Sequence, residues 1–403
     1  MATSLAGKSI VFGITGSIAA FKVAGWVSSL AQDEALVDVI MSDAAQRFIT
    51  PLTFSSLTGR KIYTRMFPAD GEPEMSHISL GREAECIIIA PATANTIAKL
   101  AYGLADELIS TTVLASRCPI IVCPAMNVQM FENPVTQQNI RRLREHGYLV
   151  IEPDDGMMAC GDYGKGRLPE WEVVREYLLR SVSEPDLTGQ KVLVTAGPTQ
   201  EPYDPARFIS NRSSGKMGYA IAQEAFHRGA DVLLISGPSS LSPPPGIRLI
   251  KVKTAAQMYD AVFAEYQDKS VIIKAAAVSD FRCEEIHQEK VKKDGLKPVI
   301  NLVKNKDILL EIGSVRDRQK QLLIGFAAES SNIEKEGLRK LKKKQLDLIA
   351  INDIVGENRG FEADSNQLLL IDTEGRKKLL PHESKVRTAE ILWDYIVENG
   401  YLK

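Results

Sequence analysis

Apolar runs of four to seven residues alternate along the whole chain with longer stretches in which apolar positions recur every three or four residues. Runs of the first kind suit buried parallel strands, and stretches of the second suit the helices that cross over them. In the first half this pattern predicts strands near 8–14, 36–41, 86–90, 120–123 and 148–151. It predicts helices near 17–31, 44–57, 94–101, 106–116 and 134–145, with one more ending near Arg180. In the second half strands are expected near 191–196, 231–236, 248–252, 271–275, 322–326, 347–351 and 367–371. Helices are expected there near 216–228, 254–267, 332–344 and 384–398. The polar, Pro- and Gly-containing stretch Ser183–Gly189 precedes a fresh strand–helix start, which predicts a boundary and domains over 1–189 and 190–403. The expected class is α/β, two tandem doubly wound and mostly parallel sheets. Ligands of such sheets lie beyond the carboxyl ends of the strands, so the chemistry is to be sought just after each strand.

Composition narrows the partners. The chain has 403 residues, long enough for two cores, and 44% hydrophobic with 25% charged residues is the make-up of a folded protein. A net charge of −2, from 49 basic and 51 acidic residues, gives no electrostatic reason to expect nucleic acid or an anionic membrane as partner. Small anions remain open, since helix N-termini bind them locally. Residues 1–9 lack the apolar core of a signal peptide, and the apolar runs are too short to span a bilayer, so a cytoplasmic location is expected. Five cysteines at 86, 118, 123, 160 and 283 have neither disulfide-framework nor zinc spacing.

Four post-strand segments in the first half carry candidate chemistry. Gly13–Ala20 (GITGSIAA) is either a phosphate-approaching turn or a tight turn with no ligand, because only two glycines of a dinucleotide fingerprint are present. Ala90–Lys99 (APATANTIAK) suits a ribityl or phosphate group and also a capped helix start with Thr93 or Asn95 as N-cap. In Pro124–Phe131 (PAMNVQMF), the Asn127 carboxamide can both donate and accept. Gly156–Arg167 (GMMACGDYGKGR) holds four glycines and reads as a mobile flap, on which Cys160 is placed for reactivity rather than packing. His77, taken alone, reads as a surface or capping histidine.

The second half offers Thr195–Thr199 (TAGPT), whose proline makes it a poor dinucleotide turn, and Arg207–Gly218 (RFISNRSSGKMG), a phosphate approach or a capped polar loop that is not a Walker A motif. Lys274–Phe281 (KAAAVSDF), Glu289–Lys293 (EKVKK) and Gly325–Glu329 (GFAAE) follow. A basic helix carrying Arg339, Lys340, Lys342, Lys343 and Lys344 reads, by itself, as a solvated face.

In this order the first-half motifs, with His77, resemble the flavin-dependent cysteine decarboxylases, phosphopantothenoylcysteine decarboxylase above all, over about residues 5–180. The second-half motifs resemble the CTP-using phosphopantothenate–cysteine ligases from about 190 to 400, and the whole chain is similar to the bifunctional bacterial decarboxylase–ligases. The resemblance implies a flavodoxin-like or Rossmann-like flavoprotein domain followed by a Rossmann-like ligase domain. It implies FMN held by Gly16, Ser17, Ile18, Ser42, Thr93, Ala94, Asn95, Thr96 and Ala125, because an acyl-cysteine carboxylate has no electron sink of its own. It further implies that Asn127 binds the substrate carboxylate, His77 supports oxidation and decarboxylation, and Cys160 protonates the ene-thiol. For the ligase it implies CTP, with Mg2+ held mainly by phosphate and water, in a site of Ala276, Asp280, Lys290, Lys306, Asp307, Ile308, Leu309, Phe326, Lys340 and Lys344. Arg207, Asn211 and Ala277 would govern an acyl-cytidylate step, after which the cysteine amine displaces CMP. Substrates would be 4'-phosphopantothenate, L-cysteine, CTP and phosphopantothenoylcysteine, and the assembly a large homo-oligomer such as a dodecamer. Phe131 stands where the bacterial enzymes commonly have Trp, and Lys306 where Pro is frequent. Two rival readings are an NAD-linked dehydrogenase, which the incomplete glycine fingerprints disfavour, and a non-enzymatic flavin-binding regulator, which the presence of His77 and Cys160 disfavours.

Overall fold

The computed structural model describes residues 5–67, 75–292, 299–329, 332–353 and 364–402. The chain divides between Ser183 and Glu184 into two compact units. Residues 184–190 go with the second unit because they are fastened to it. Leu187 is fully buried and donates its N–H to the Arg228 carbonyl, while the Arg228 guanidinium pairs with Asp186 and Asp394.

The first unit is built on strands β1 (Ser9–Ile14), β2 (Leu36–Met41), β3 (Ile62–Tyr63), β4 (Cys86–Ala92), β5 (Ile120–Pro124) and β6 (Leu149–Val150). They form one parallel sheet in the order β3-β2-β1-β4-β5-β6. Strand period places Ile10, Phe12 and Ile14 on one face, against the helices Ala20–Gln32 and Trp171–Val182. Val11, Ile87, Ile89 and Val122 face the other side, against the helices Ala94–Tyr102, Leu108–Ala115 and Pro134–Glu145. Because both faces are covered, the strands read as continuous apolar runs, and strand order reverses between β1 and β4, where a doubly wound sheet opens its ligand crevice. The helix expected over 44–57 is instead a short 3-10 turn, Ala45–Arg47, and a helix Pro51–Thr58. Pro51 cannot continue a helix but starts one well, and Gly59 closes it in the left-handed conformation. The glycine-rich segment expected as a flap is an antiparallel ribbon, β7 (Asp154–Met157) with β8 (Tyr163–Arg167), outside either core layer.

The second unit contains β9 (Lys191–Ala196), β10 (Gln200–Pro202), β11 (Phe208–Ser210), β12 (Asp231–Ser236), β13 (Arg248–Lys251), β14 (Val271–Lys274), β15 (Phe281–Cys283), β16 (Leu302–Lys304), β17 (Leu322–Glu329), β18 (Leu348–Asp353), β19 (Ser365–Asn366), β20 (Leu368–Asp372), β21 (Lys377–Leu379) and β22 (Glu383–Ser384). Its main sheet runs β13-β12-β9-β14-β17-β18-β20-β21, parallel as far as β18 and antiparallel beyond it. One face packs on Met258, Val262, Ile308 and Ile312. The helices Lys216–His227 and Lys385–Glu398 are joined by the buried Trp393, whose Nε1 donates to the Ile221 carbonyl at 3.0 Å. No helix among the described residues is long and apolar enough to cross a membrane.

Candidate active sites

In the first unit the loops after β1, β2 and β4 meet at the strand-order reversal. Gly16 allows this, since a Cβ there would lie 2.4 Å from the Ala44 Cβ. Thr15 ties β1 to β4: its hydroxyl donates to the Pro91 carbonyl at 2.5 Å and accepts the Thr93 N–H at 3.1 Å. Thr93 is the N-cap of the helix Ala94–Tyr102 and accepts the Thr96 N–H, so Asn95 sits inside the first turn rather than capping it. These loops enclose a cavity of about 900 Å3 lined by Gly16, Ser42, Thr93, Ala94, Asn95 and Thr96, within the range of small-molecule and cofactor sites. Arg65, Met66 and Phe67 also reach it, residues whose sequence context carries no ligand signal. Free N–H groups at a helix start, small side chains and hydroxyls fit a phosphorylated flavin's ribityl chain and phosphate.

Beside it lies a second cavity of about 560 Å3, lined by Ser17, Ile18, Ala125, Asn127 and Cys160. Asn127 caps the helix Val128–Glu132: its Oδ1 accepts the Gln129 N–H at 2.9 Å, which turns Nδ2 toward the ribbon. Nδ2 donates to Cys160 Sγ at 3.3 Å and to Asp162 Oδ2 at 2.6 Å. Cys160 is exposed, whereas Cys86 and Cys123 are fully buried and burial pushes their thiols well above the ordinary range. Phe131 is buried, an aromatic in the place where Trp is common. His77 is not brought to this group. It lies on the helix Ser76–Glu83, half-buried, lines neither cavity, and its Nδ1 is buried without a hydrogen-bond partner.

The second unit has a cavity of about 360 Å3 at the carboxyl ends of β14, β17 and β18. Asn211, Ala276, Ala277, Asp280, Lys306, Asp307, Ile308, Leu309, Phe326, Lys340 and Lys344 all line it. Asp307 caps the helix Ile308–Val315 through the Leu310 N–H and pairs with Lys344 at 2.9 Å. Burial would raise that carboxyl, but the Lys344 ammonium outweighs it and holds Asp307 below the usual range. The pair depends on Gly313, where a Cβ would meet the Lys344 carbonyl oxygen at 2.0 Å. Lys306 lies 4.3 Å from the centre of the Tyr259 ring, a cation–π contact that a proline could not make. Asn211 Nδ2 donates to the Ala277 carbonyl at 3.1 Å, and the Thr195 hydroxyl accepts the Ala276 N–H.

Three further lysines, Lys216, Lys274 and Lys385, line the same space. Lys274 is the last residue of β14 and the first of the KAAAVSDF segment. In the fold, burial and then the Lys344 charge lower its ammonium to about 8, against the pull of Asp307 and Asp280. Arg207 and Lys290 fall outside the cavity. Arg207 is held by the buried Asp204, whose carboxyl it keeps well below the usual range, and donates to the Val291 carbonyl; Lys290, next in the chain, is exposed. Lys293 of the EKVKK motif lies outside the described residues. Among the described residues no group of three or more His, Cys, Asp or Glu could hold a metal ion.

The two units correspond to two family models. Residues 1–183 match the model described as Flavoprotein, and residues 187–399 match the DNA/pantothenate metabolism flavoprotein C-terminal domain. Among curated proteins, the coenzyme A biosynthesis bifunctional protein CoaBC of Bacillus subtilis (strain 168) is 42% identical over 384 residues, 94% of each chain. Its namesakes in Escherichia coli (strain K12) and Haemophilus influenzae are also 42% identical, over 98% of each chain. With both units matched and near-complete coverage, the chain belongs to the family of bifunctional coenzyme A biosynthesis proteins.

Proposed function

We propose that this chain is a bifunctional enzyme that joins 4'-phosphopantothenate to L-cysteine at the expense of CTP and then decarboxylates the product to 4'-phosphopantetheine. The second unit would perform the ligation and the first the FMN-dependent decarboxylation. The observation that carries this reading is the pairing of two different cavities in a chain of this family. One is lysine-rich beside a carboxamide, and the other is small-residue-lined beside a carboxamide and an exposed thiol.

Bound FMN would supply the two-electron acceptor that an acyl-cysteine lacks. The chain's own residues then have separable tasks. Gly16, Ser42 and Thr93–Thr96 would hold the cofactor's phosphate and ribityl chain, while Ser17, Ile18 and Ala125 border the substrate side. Asn127 Nδ2 would donate to the substrate carboxylate, and the Cys160 thiol would deliver a proton to the ene-thiol. In the second unit Lys340, Lys344 and Lys274 would neutralise a triphosphate, with Mg2+ carried by the nucleotide. Asn211 and the 276–277 backbone would orient the acyl phosphate.

His77, with its unpartnered buried nitrogen and no place in the lining of either first-unit cavity, supports a homo-oligomer in which a neighbouring copy supplies it. Exposed Leu52, Phe67 and Leu114 supply apolar surface for such an assembly. Five unpaired cysteines, three of them buried, fit a reducing cytoplasm.

Incubation with phosphopantothenate, cysteine, CTP and magnesium should release CMP, pyrophosphate and CO2, from a protein that is yellow as purified. A folded chain that neither contains nor takes up FMN would refute the decarboxylase half. Absence of CMP would refute the other. CTP affinity should also depend on pH through Lys274. The ammonium form binds anions, so affinity should be full below about pH 8 and fall above it, by up to about tenfold per unit. Lys274→Met should weaken CTP binding about tenfold at neutral pH and flatten that profile, as titration calorimetry at several pH values would show.

A further inference from the structure

Asp162 makes the shortest polar contact at the Asn127 amide. Asn127 Oδ1 is committed to the Gln129 N–H, so only Nδ2 is free to meet a ligand, and Asp162 Oδ2 lies 2.6 Å from it. The same carboxylate oxygen accepts from Cys160 Sγ at 3.5 Å. Cys160 and Asp162 also belong to one closed turn, because the Met158 N–H donates to the Asp162 carbonyl and the Gly161 N–H to the Met158 carbonyl. The base of the ribbon is fixed beside Asn127 by the Met126 N–H on the Gly166 carbonyl. A carboxylate oxygen on Asn127 Nδ2 is the contact that the decarboxylase reading assigns to the substrate.

We propose that Asp162 is a positioning residue that stands in for the substrate carboxylate: it occupies the Asn127 amide in the empty enzyme, yields it to substrate, and reclaims it once CO2 has left, carrying Cys160 to the organic fragment. This inference rests on the decarboxylase reading. Two carboxylates on one amide repel, so the ribbon tip is held away while the substrate is intact. Decarboxylation breaks the bond from carboxylate carbon to Cα of the FMN-oxidised substrate; CO2 departs and the electron pair stays on the fragment as an ene-thiolate. The amide is then vacant, Asp162 returns, and the Cys160 S–H is delivered only when there is a carbanion equivalent to protonate. The order of decarboxylation before protonation is thereby built into a competition for one N–H group.

The test uses the full-length, FMN-loaded protein as wild type, Asp162→Ala and Asp162→Asn. A redox-inert carboxylate, phosphopantothenoylserine, is titrated calorimetrically, and single turnover of phosphopantothenoylcysteine is followed for CO2 and for oxidised against reduced product. Removing the competitor should tighten analogue binding about threefold to tenfold, more in the Ala variant than in the Asn variant. CO2 release should be preserved while the oxidised, decarboxylated product accumulates at least about tenfold. A residue that merely shapes the ribbon would weaken binding instead. Unchanged or weaker analogue binding in both variants, or an unchanged product ratio, would overturn the inference alone. A wild-type protein that releases no CO2 would overturn the decarboxylase reading and the inference with it.

Discussion

Asn211→Asp should stop amide formation while leaving decarboxylation untouched. The substitution is nearly isosteric, so the loop 207–218 keeps its shape, but it removes the N–H that meets the Ala277 carbonyl at 3.1 Å and sets a negative oxygen against it. In a cavity whose other polar walls include Lys274, Lys340 and Lys344, this introduces an anion where the proposed chemistry gathers a triphosphate and then an acyl phosphate. Loss of one aligned donor at a reacting centre costs on the order of 10²–10³ in rate, and the added charge works in the same direction. With phosphopantothenate, cysteine, CTP and magnesium supplied, CMP release should therefore fall by at least about a hundredfold. The same protein given phosphopantothenoylcysteine should release CO2 at the wild-type rate and carry its full flavin spectrum. Ligation at an undiminished rate would remove Asn211 from the reaction.

That the two halves can be separated so cleanly was visible in the order of apolar runs. β1, β2, β4 and β5, like β9, β12, β14, β17 and β18, are buried on both faces, so each appears as an unbroken apolar run with a helical stretch after it. The elements that escaped notice are those with no such signature. β3 is two residues at a sheet edge, and the ribbons β10–β11 and β15–β16 are three residues a strand with no apolar run. The helix Ile308–Val315 reads ILLEIGSV, too apolar to show a polar face, and only its Asp307 cap marks its start. The candidate sites divide in the same way. Residues directly after strands, such as Gly16, Thr93, Asn127 and Ala277, could be found from the sheet rule alone. Lys274 opens the KAAAVSDF segment, but its place in the nucleotide cavity comes from burial that the sequence does not display, and the meaning of Asp162 lies in its distance to Asn127. His77, Arg207 and Lys290 belong to the sites by motif order alone, and among the described residues they line none of the three cavities.

Cys160→Ala should separate CO2 release from formation of the reduced product. The Cys160 thiol is exposed at the tip of the ribbon, 3.3 Å from the amide that the proposed reading gives to the substrate, and no core packing depends on it. Cys160→Ala deletes an S–H group and nearly nothing else, so the fold, flavin content and ligation should be unchanged. Binding and oxidation do not call on the thiol, and neither does the loss of CO2, because the electron pair passes into the oxidised substrate rather than onto a protein proton. Protonation of the ene-thiol does, and a positioned acid is worth roughly 10²–10⁴ in rate. The variant should thus release CO2 yet convert the decarboxylated fragment to 4'-phosphopantetheine at least about a hundredfold more slowly, with the oxidised species accumulating in mass spectra. Serine at this position restores a hydroxyl of similar reach but much weaker acidity, so its product ratio should lie close to that of alanine. If alanine instead gave reduced product at the wild-type rate, the acid would have to be another group, and Cys160 would be left as an exposed thiol without a task.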